Sequence, residues 1–276
     1  MSSPSLELAN PIVETYSRLA EHYDDERNFR SCWGQASDKA LGLIHIKDDY
    51  RRILDVGCGT GRALARLARR AKTGVQFVGI DPAENMRKLA LARLLPFGAV
   101  EICNGSFEHI PLETSSVDYL FSIFAFHWTT DPEAAIWEIQ RVLKPGAEMD
   151  LFFIGRDNGR EFIRKTTPIF LKYMGPASLL ESARMRKQFT REAVHQLFSK
   201  AFRAPELTVS ESYQTYYDTL EGHWGWWVRI EGHFMRISAT VKEQCDQEVK
   251  TALLRLAEPA GIPYTIHQVH VRLRRA

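Results

Sequence analysis

The sequence predicts a doubly wound, Rossmann-like α/β fold of about seven strands, with helices on both faces of the sheet. Two observations predict this fold. Between residues 50 and 155, short apolar runs alternate with segments of helical periodicity, a pattern typical of a mostly parallel sheet. A glycine-rich turn, Gly57 to Gly61, then joins the first strand to the first helix of this region, at the place where such sheets bind ligands.

Each element follows from its own pattern of apolar and turn-forming residues. Strands are predicted at Arg52–Val56, Gln76–Ile80, Val100–Cys103, Val117–Ile123, Glu148–Ile154, Glu206–Tyr213 and Tyr264–Leu273. Helices are predicted at about Pro11–Asp25, Ser37–Ile46, Thr60–Ala71, Ala83–Leu94, Pro132–Leu143 and Arg191–Ala201. Residues 156–190 are rich in arginine and lysine and carry no strand pattern, and aromatic residues dominate the chain after residue 213.

Composition excludes several classes of protein. The net charge of +2 gives no field that would gather nucleic acid or an anionic membrane, and the terminal Arg272, Arg274 and Arg275 are expected to be solvated. Four cysteines lack metal-ligand or redox spacing, so we expect reduced thiols and no metal. Without a signal-type apolar core or a run of the ~20 apolar residues that span a bilayer, the protein is expected to be cytoplasmic.

The glycine turn has an acidic partner. Gly57, Gly59 and Gly61 lie where a strand becomes a helix, and such a turn lets a ligand touch the backbone. Asp81 ends the next strand, where a carboxylate can accept hydrogen bonds from both hydroxyls of a ribose. These features together predict a nucleoside ligand.

A nicotinamide dinucleotide is the rival ligand. Its fingerprint, G-x-G-x-x-G, needs a third glycine at the position that Arg62 occupies in this sequence. Asp55 precedes the glycines, and a carboxylate there repels a pyrophosphate but suits an ammonium group. The sign of this charge favours a nucleoside that carries an amino acid.

Leu54-Asp-Val-Gly-Cys-Gly-Thr-Gly61 resembles the D-x-G-x-G-x-G motif of class I S-adenosylmethionine-dependent methyltransferases. The resemblance continues through Ile80–Met86, Gly105–Pro111, Phe126–Trp128 and Trp137–Gly146. It covers residues 50–150 well, and it points to the branch of the biotin-pathway malonyl-thioester, trans-aconitate and quinone methyltransferases. The closing strand also resembles that of the first two.

This resemblance implies a domain plan and a cofactor, S-adenosyl-L-methionine. One methyltransferase domain would span residues 1–276, with cofactor-closing helices in 1–50, a cofactor-binding core in 51–155 and substrate or lid inserts at 156–190 and 214–262. The last of the seven strands would be antiparallel. The implied cofactor-binding residues are Tyr23, Asp55, Gly57, Cys58, Gly59, Gly61, Asp81, Pro82, Met86, Ser106, Phe107 and Ser122.

One cofactor contact departs from the family. Ser106 stands where the family usually has an aspartate that accepts a hydrogen bond from the adenine amine. A serine hydroxyl can also accept that bond, but without charge. The contact is therefore expected to be weaker, or to shift to the backbone of Phe107.

The sequence constrains the residues that would bind the methyl acceptor less than those that would bind the cofactor. His127 follows the fourth strand and is either a general base or a packed histidine beside Trp128. Tyr16 and Tyr23 share a helix face and either bind ligand or pack into the core. Arg160, Arg164 and Lys165 either receive a carboxylate or form a solvated face. The candidate catalytic residue is His127, and the candidate substrate-binding residues are Tyr16, Phe124, Trp128, Trp224, Trp227 and Arg229.

The aromatic residues after Tyr213 are expected partly to line a ligand wall and partly to form a satellite core. The function implied by the resemblance is methyl transfer to a small-molecule acceptor, with O-methylation of a carboxylate or hydroxyl favoured. N- or C-methylation remains an alternative. A nucleic-acid or protein methyltransferase would need a basic groove or an accessory domain, and a non-catalytic cofactor binder would show no turnover. No nucleic-acid or membrane partner is expected, and the oligomeric state is not readable.

Overall fold

The computed structural model describes residues 10–98, 100–202, 206–229 and 237–276, with the side chains of 227–229 outside the description. In this part of the chain a single sheet of seven strands has the order β3-β2-β1-β4-β5-β7-β6. Strands β1 to β5 pair in parallel, and β7 is antiparallel to both β5 and β6. The predicted fold is confirmed. The strands are β1 Arg52–Val56, β2 Gln76–Ile80, β3 Val100–Cys103, β4 Val117–Ile123, β5 Leu143–Ile154, β6 Thr208–Asp218 and β7 Ile262–Arg274.

Helices flank the sheet on both faces. In the described residues they are α1 Pro11–Arg18, α2 Ala20–Tyr23, α3 Glu26–Arg30, α4 Cys32–Gly42, α5 Arg62–Ala68, α6 Glu84–Leu94, α7 Pro132–Val142, α8 Arg160–Met185, α9 Arg191–Ala201, α10 Leu220–Arg229 and α11 Ala239–Leu254. Short 3-10 turns lie at Leu95–Phe97 and Phe126–Trp128. None of the described helices is long and apolar enough to cross a membrane.

Two predicted helices differ from the structure. The helix expected over residues 11–25 is broken at Leu19, whose ψ of 7° separates α1 from α2. The next helix begins at Cys32, five residues before the predicted start. Gly34 explains this early start, since a Cβ there would lie 2.1 Å from the carbonyl oxygen of Phe29. A glycine usually weakens a helix, so the sequence pattern points away from the true boundary.

The strands bury alternate residues on the two faces of the sheet. Leu54, Val78 and Leu120 face one apolar cluster, which α7 and α9 cover. Ile53 and Phe77 face the other, which α4, α5 and α6 cover. Parallel strands buried on both faces bring their carboxyl ends to one edge, and the functional residues meet there.

A third apolar cluster lies apart from these two. It joins α8, α10 and α11 to β7 around the buried Phe162, Trp226 and Tyr264. Helix α8 bends at Gly175, which has a φ of 74° and a ψ of 167°. The described parts of the inserts at 156–190 and 214–262 therefore pack largely against each other and the last strand.

Candidate functional site

The turn that follows β1 contains three glycines at positive φ, at every second position. The φ values of Gly57, Gly59 and Gly61 are 74°, 54° and 73°. A Cβ at Gly57 would lie 2.3 Å from the Cβ of Ala125, whereas Gly59 has nothing within 4 Å. The amides of Gly57 and Cys58 donate to the carbonyl oxygen of Ile80 at 2.8 and 3.0 Å, which fixes the turn against the end of β2.

Gly61 has a different task from the other two glycines. It caps α5 in the left-handed region, and a Cβ there would lie 2.9 Å from Leu94 and 3.1 Å from Ala90 of α6. It is absent from the described lining of the two cavities beside the turn. The structure thus gives Gly61 a role in the packing of α5 against α6, and its contact with the cofactor stays a prediction.

Asp81 follows β2 directly and is 8% exposed. Its two carboxylate oxygens accept from the amides of Gly59 and Ala83, both at 2.9 Å. Burial raises the pKa of Asp81, and the two amides and Arg87 oppose part of this shift. Arg87 also donates to the carbonyl oxygens of Asp81 and Pro82 at 2.8 Å, so the carboxylate is held rigidly at the sheet edge.

Two cavities meet at the glycine turn. The larger has a volume of about 760 Å³ and extends from Asp81 to Trp128. The smaller, of about 100 Å³, contains Asp55. Burial, and next the charge of Asp81, raise the pKa of Asp55 well above its ordinary value. Tyr23, Gly57 and Gly59 line both cavities, so a ligand lying across the turn would reach both carboxylates.

Most of the predicted site residues are brought together here. Those lining the larger cavity are Tyr16, Tyr23, Gly57, Gly59, Asp81, Pro82, Met86, Ser106, Phe107, Phe124 and Trp128. Asp55 and Cys58 line the smaller one. The Tyr16 ring packs edge-on against Tyr23 and Trp128, with ring centres 5.9 and 6.1 Å apart. Helices α1 and α2 therefore roof the larger cavity with aromatic rings.

His127 lies behind the cavity wall. The residue is 3% exposed, its backbone oxygen accepts from the Lys187 amide at 2.9 Å, and it is absent from the described lining. Burial, and next the nearby Arg186, lower the pKa of His127 well below its ordinary value. The ring centre of His127 lies 4.8 Å from that of Trp128, as expected for the packed alternative, and its role as a catalytic residue stays a prediction.

Other predicted residues also lie away from the described lining. Ser122 is fully buried within β4, and its contact with the cofactor stays a prediction. Trp224 packs in the third apolar cluster, with Lys250 Nζ 4.6 Å from the centre of its ring. The side chains of Trp227 and Arg229 lie outside the described part of the chain.

The predicted inserts contribute nothing to the described walls of either cavity. The side chain of Arg160 is 68% exposed and lies 3.9 Å from Glu161, as expected for the solvated alternative. The described aromatic residues of 214–226 mostly belong to the third apolar cluster, which is the satellite core expected from the sequence. Among the described residues, α1 and α2 contribute to the walls of these cavities, and the role of a lid for the inserts stays a prediction.

Several residues that the sequence analysis missed belong to the site. Thr129 lines the larger cavity and Asn28 the smaller one. Each has a buried side-chain oxygen, Oγ1 of Thr129 and Oδ1 of Asn28, without a hydrogen-bond partner in the described structure. Buried polar atoms are normally paired. Glycines with no room for a Cβ, buried carboxylates and unpaired acceptors together fit a polar ligand that carries a cation.

Known proteins match the cofactor half of the chain. The family model described as a methyltransferase domain matches residues 54–149. An uncharacterized methyltransferase of Mycobacterium tuberculosis is 33% identical over 167 residues, which cover 59% of this chain and 65% of that protein. A malonyl-[acyl-carrier protein] O-methyltransferase of a Methylovorus species is 36% identical over 156 residues, 54% of this chain and 52% of that protein. The matches thus span about half to two thirds of these relatives.

A solved structure matches the fold over nearly the whole chain. A Thermotoga maritima S-adenosylmethionine-dependent methyltransferase, possibly a histamine N-methyltransferase, has a TM-score of 0.56 and 20% identity and covers 96% of this chain and 100% of its own. At this identity the likeness concerns the fold alone. Residues 54–149 thus match a methyltransferase domain, and the chain shares its fold with a solved S-adenosylmethionine-dependent methyltransferase.

Proposed function

We propose that the protein transfers the methyl group of S-adenosyl-L-methionine to an oxygen atom of a small organic acceptor. One observation carries the proposal. The larger cavity joins a glycine turn and a buried carboxylate, Asp81, to an aromatic wall formed by Tyr16, Phe124 and Trp128. A single space can therefore hold a nucleoside at one end and a semi-apolar acceptor at the other.

The residues for the cofactor follow from this arrangement. Asp81 would accept hydrogen bonds from the ribose, Pro82 and Met86 would flank the adenine, and Asp55 would face the ammonium group. When bound, S-adenosylmethionine supplies a methyl group that is already activated by a sulfonium. The protein then has to align the acceptor and exclude water, and the aromatic roof formed by α1 and α2 suits both tasks.

The charge of the cavity favours a hydroxyl over a carboxylate as the acceptor. Among the described residues that line it, Glu14, Asp81 and Glu108 are acidic, and none is lysine or arginine. A free carboxylate would meet like charges without a cationic side chain of the lining to offset them. A hydroxyl must lose a proton during transfer, and Glu14 and His109 are lining residues that can accept one.

O-methylation also agrees with the activity for which the Methylovorus relative is named, although the matched residues are only about half of that protein. The same acidic lining suits an amine, because amines are positively charged near neutral pH. N-methylation is therefore the second candidate function.

Calorimetry and a transfer assay test the proposal. We expect S-adenosylmethionine and S-adenosylhomocysteine to bind with micromolar dissociation constants, and NADH not to bind. With methyl-labelled cofactor, a panel of benzyl alcohol, benzoate and benzylamine, extended to larger homologues, then separates the acceptor classes. Tight NADH binding without a response to the sulfonium would overturn the cofactor, and label transfer to benzoate alone would overturn the preference for a hydroxyl.

A further inference from the structure

Three elements of the site meet at one carboxylate that the proposed function does not use. Asp24 follows Tyr23 at the end of α2. Its Oδ1 accepts from Thr60 Oγ1 at 2.7 Å, and its Oδ2 accepts from Arg93 of α6 at 2.5 Å. Arg93 also donates to the carbonyl and hydroxyl oxygens of Thr60, at 2.8 and 2.7 Å. We call this closed network of Asp24, Thr60 and Arg93 the latch.

The latch is better shielded than an ordinary surface ion pair. The side chains of Arg93 and Asp24 are 26% and 19% exposed, and Thr60 is 3% exposed. In contrast, Lys242 and Asp246 of α11 form a pair with 48% and 28% exposure. Charge-assisted hydrogen bonds strengthen as water is excluded, whereas exposed pairs contribute little. The latch therefore has the burial and geometry to hold α2 in place.

The latch connects the roof of the site to its floor. Thr60 belongs to the glycine turn, between Gly59 and Gly61, while Arg93 lies on the helix that follows Asp81. Tyr23 lines both cavities, and burial, followed by the charge of Asp81, raises the pKa of its hydroxyl. Any movement of Asp24 away from Thr60 would carry the neighbouring Tyr23 away from the turn.

We propose that Asp24 is a positioning residue, which fixes Tyr23 over the cofactor site by tying the end of α2 to Thr60 and Arg93. This inference rests on the proposed function, because it takes S-adenosylmethionine as the ligand beneath Tyr23. Asp24 itself lines neither cavity in the described structure. Its effect on affinity must therefore pass through a neighbour, either Tyr23 or Thr60, which lines the smaller cavity. We assign it to Tyr23, and this dependence can be measured.

A double-mutant cycle of Asp24→Ala and Tyr23→Ala tests the dependence by calorimetry with S-adenosylhomocysteine. In the otherwise unchanged protein, we expect Asp24→Ala to raise the dissociation constant about tenfold, the scale of one charge-assisted contact. In the Tyr23→Ala background the same change should cost less than about twofold, since the two residues act as one unit. The Asp246→Ala variant is the matched control and should keep the wild-type affinity.

Equal effects of Asp24→Ala in both backgrounds would overturn the inference, as would an unchanged affinity in a folded single variant. If Asp24→Ala fails to fold, Asp24→Asn replaces it, because the amide keeps an oxygen for Thr60 but loses the charge opposite Arg93. Hydrogen exchange of residues 11–23 in the free protein separates the two proposals. Faster exchange in the variant supports the latch even if the wild type binds no cofactor, and unchanged exchange contradicts it.

Discussion

The two ends of the central sheet carry the same kind of side chain in opposite electrostatic states. At the carboxyl ends, burial raises the pKa values of Asp55 and Asp81. Towards the amino ends, Asp118 and Glu148 are also partly buried, but their cationic and hydrogen-bonding partners hold their pKa values below the ordinary ones. The difference is one of partners and not of residue type.

The carboxylates towards the amino ends have hydrogen-bond donors and cationic partners within the protein. Asp118 accepts from the amides of Arg51 and Arg52 at 3.0 and 2.8 Å and from Lys144 at 2.7 Å. At the carboxyl ends the charge of Asp81 adds to the shift of Asp55, and unpaired buried oxygens lie nearby. Buried carboxylates with raised pKa values beside unpaired oxygens are features expected of a ligand site, and variants at the two ends of the sheet test this difference.

The largest expected effect follows the substitution Gly57→Ala. The new methyl group would lie 2.3 Å from the Ala125 Cβ, at a φ of 74°. Backbone strain and overpacking together should lower the free energy of unfolding by about 3–5 kcal/mol, measured by denaturant titration. Gly146→Ala is the control, since Gly146 has a φ of 77° with nothing within 4 Å. Comparable losses in the two variants would show that strain alone matters at the turn.

The second prediction compares carboxylates at the two ends of the sheet. Asp81→Ala should weaken the binding of S-adenosylmethionine by about 2–4 kcal/mol, because two charge-assisted hydrogen bonds to the ribose are lost. Asp118→Ala removes a carboxylate that also accepts from two backbone amides, but it should lower stability without changing affinity. Calorimetry and thermal unfolding of both variants separate the two ends. An unchanged dissociation constant for folded Asp81→Ala would refute its assignment to the ribose.

The sequence predicts the cofactor end well because local patterns determine it. The boundaries of β1 to β4 and of α9 agree with the predicted residues, since each element has a strong apolar period. The glycines of the turn directly follow β1, and Asp81 directly follows β2. Sequence spacing gives no such guide to residues far apart in the chain. Asn28 and Thr129 reach the site through tertiary packing, and the backbone oxygen of His127 accepts from the amide of the distant Lys187.

The aromatic residues illustrate the same limit. Trp128 and Trp224 have the same side chain and both stand among aromatic neighbours in the sequence, yet one lines the larger cavity and the other packs in the satellite core. Trp128 lies in the turn that follows β4, whereas Trp224 lies on α10, and no periodicity of the sequence distinguishes a cavity position from a core position.

These two tryptophans provide the third prediction. Trp128→Ala should raise the KM of the acceptor about tenfold, since an aromatic contact contributes about 0.5–1.5 kcal/mol beyond its buried area, with a smaller change in stability. Trp224→Ala should lower the unfolding temperature and leave the KM unchanged. Steady-state kinetics and calorimetric scans measure both quantities. A raised KM in Trp224→Ala would show instead that the insert at 214–262 contributes to acceptor binding.

The smallest effect concerns His127 and pH. Burial keeps its folded-state pKa well below the ordinary value, so the imidazole stays neutral in the folded protein. The unfolded chain has a histidine pKa of about 6.5, and as pH falls below that value only the unfolded state takes up this proton. His127 should therefore cost no stability above pH 6.5 and up to about 1.4 kcal/mol per pH unit below it.

The variant His127→Phe keeps an aromatic ring and removes this titration. The difference in unfolding free energy between wild type and variant should be constant above about pH 6.5 and shift in favour of the variant as pH falls below it. Turnover at pH 7.5 should stay within about threefold of the wild type, because the ring lies behind the wall of the larger cavity. A loss of 10²–10⁴ in turnover, about the contribution of a general base, would instead place His127 at the reacting atoms. His127 would then accept the proton of the acceptor hydroxyl.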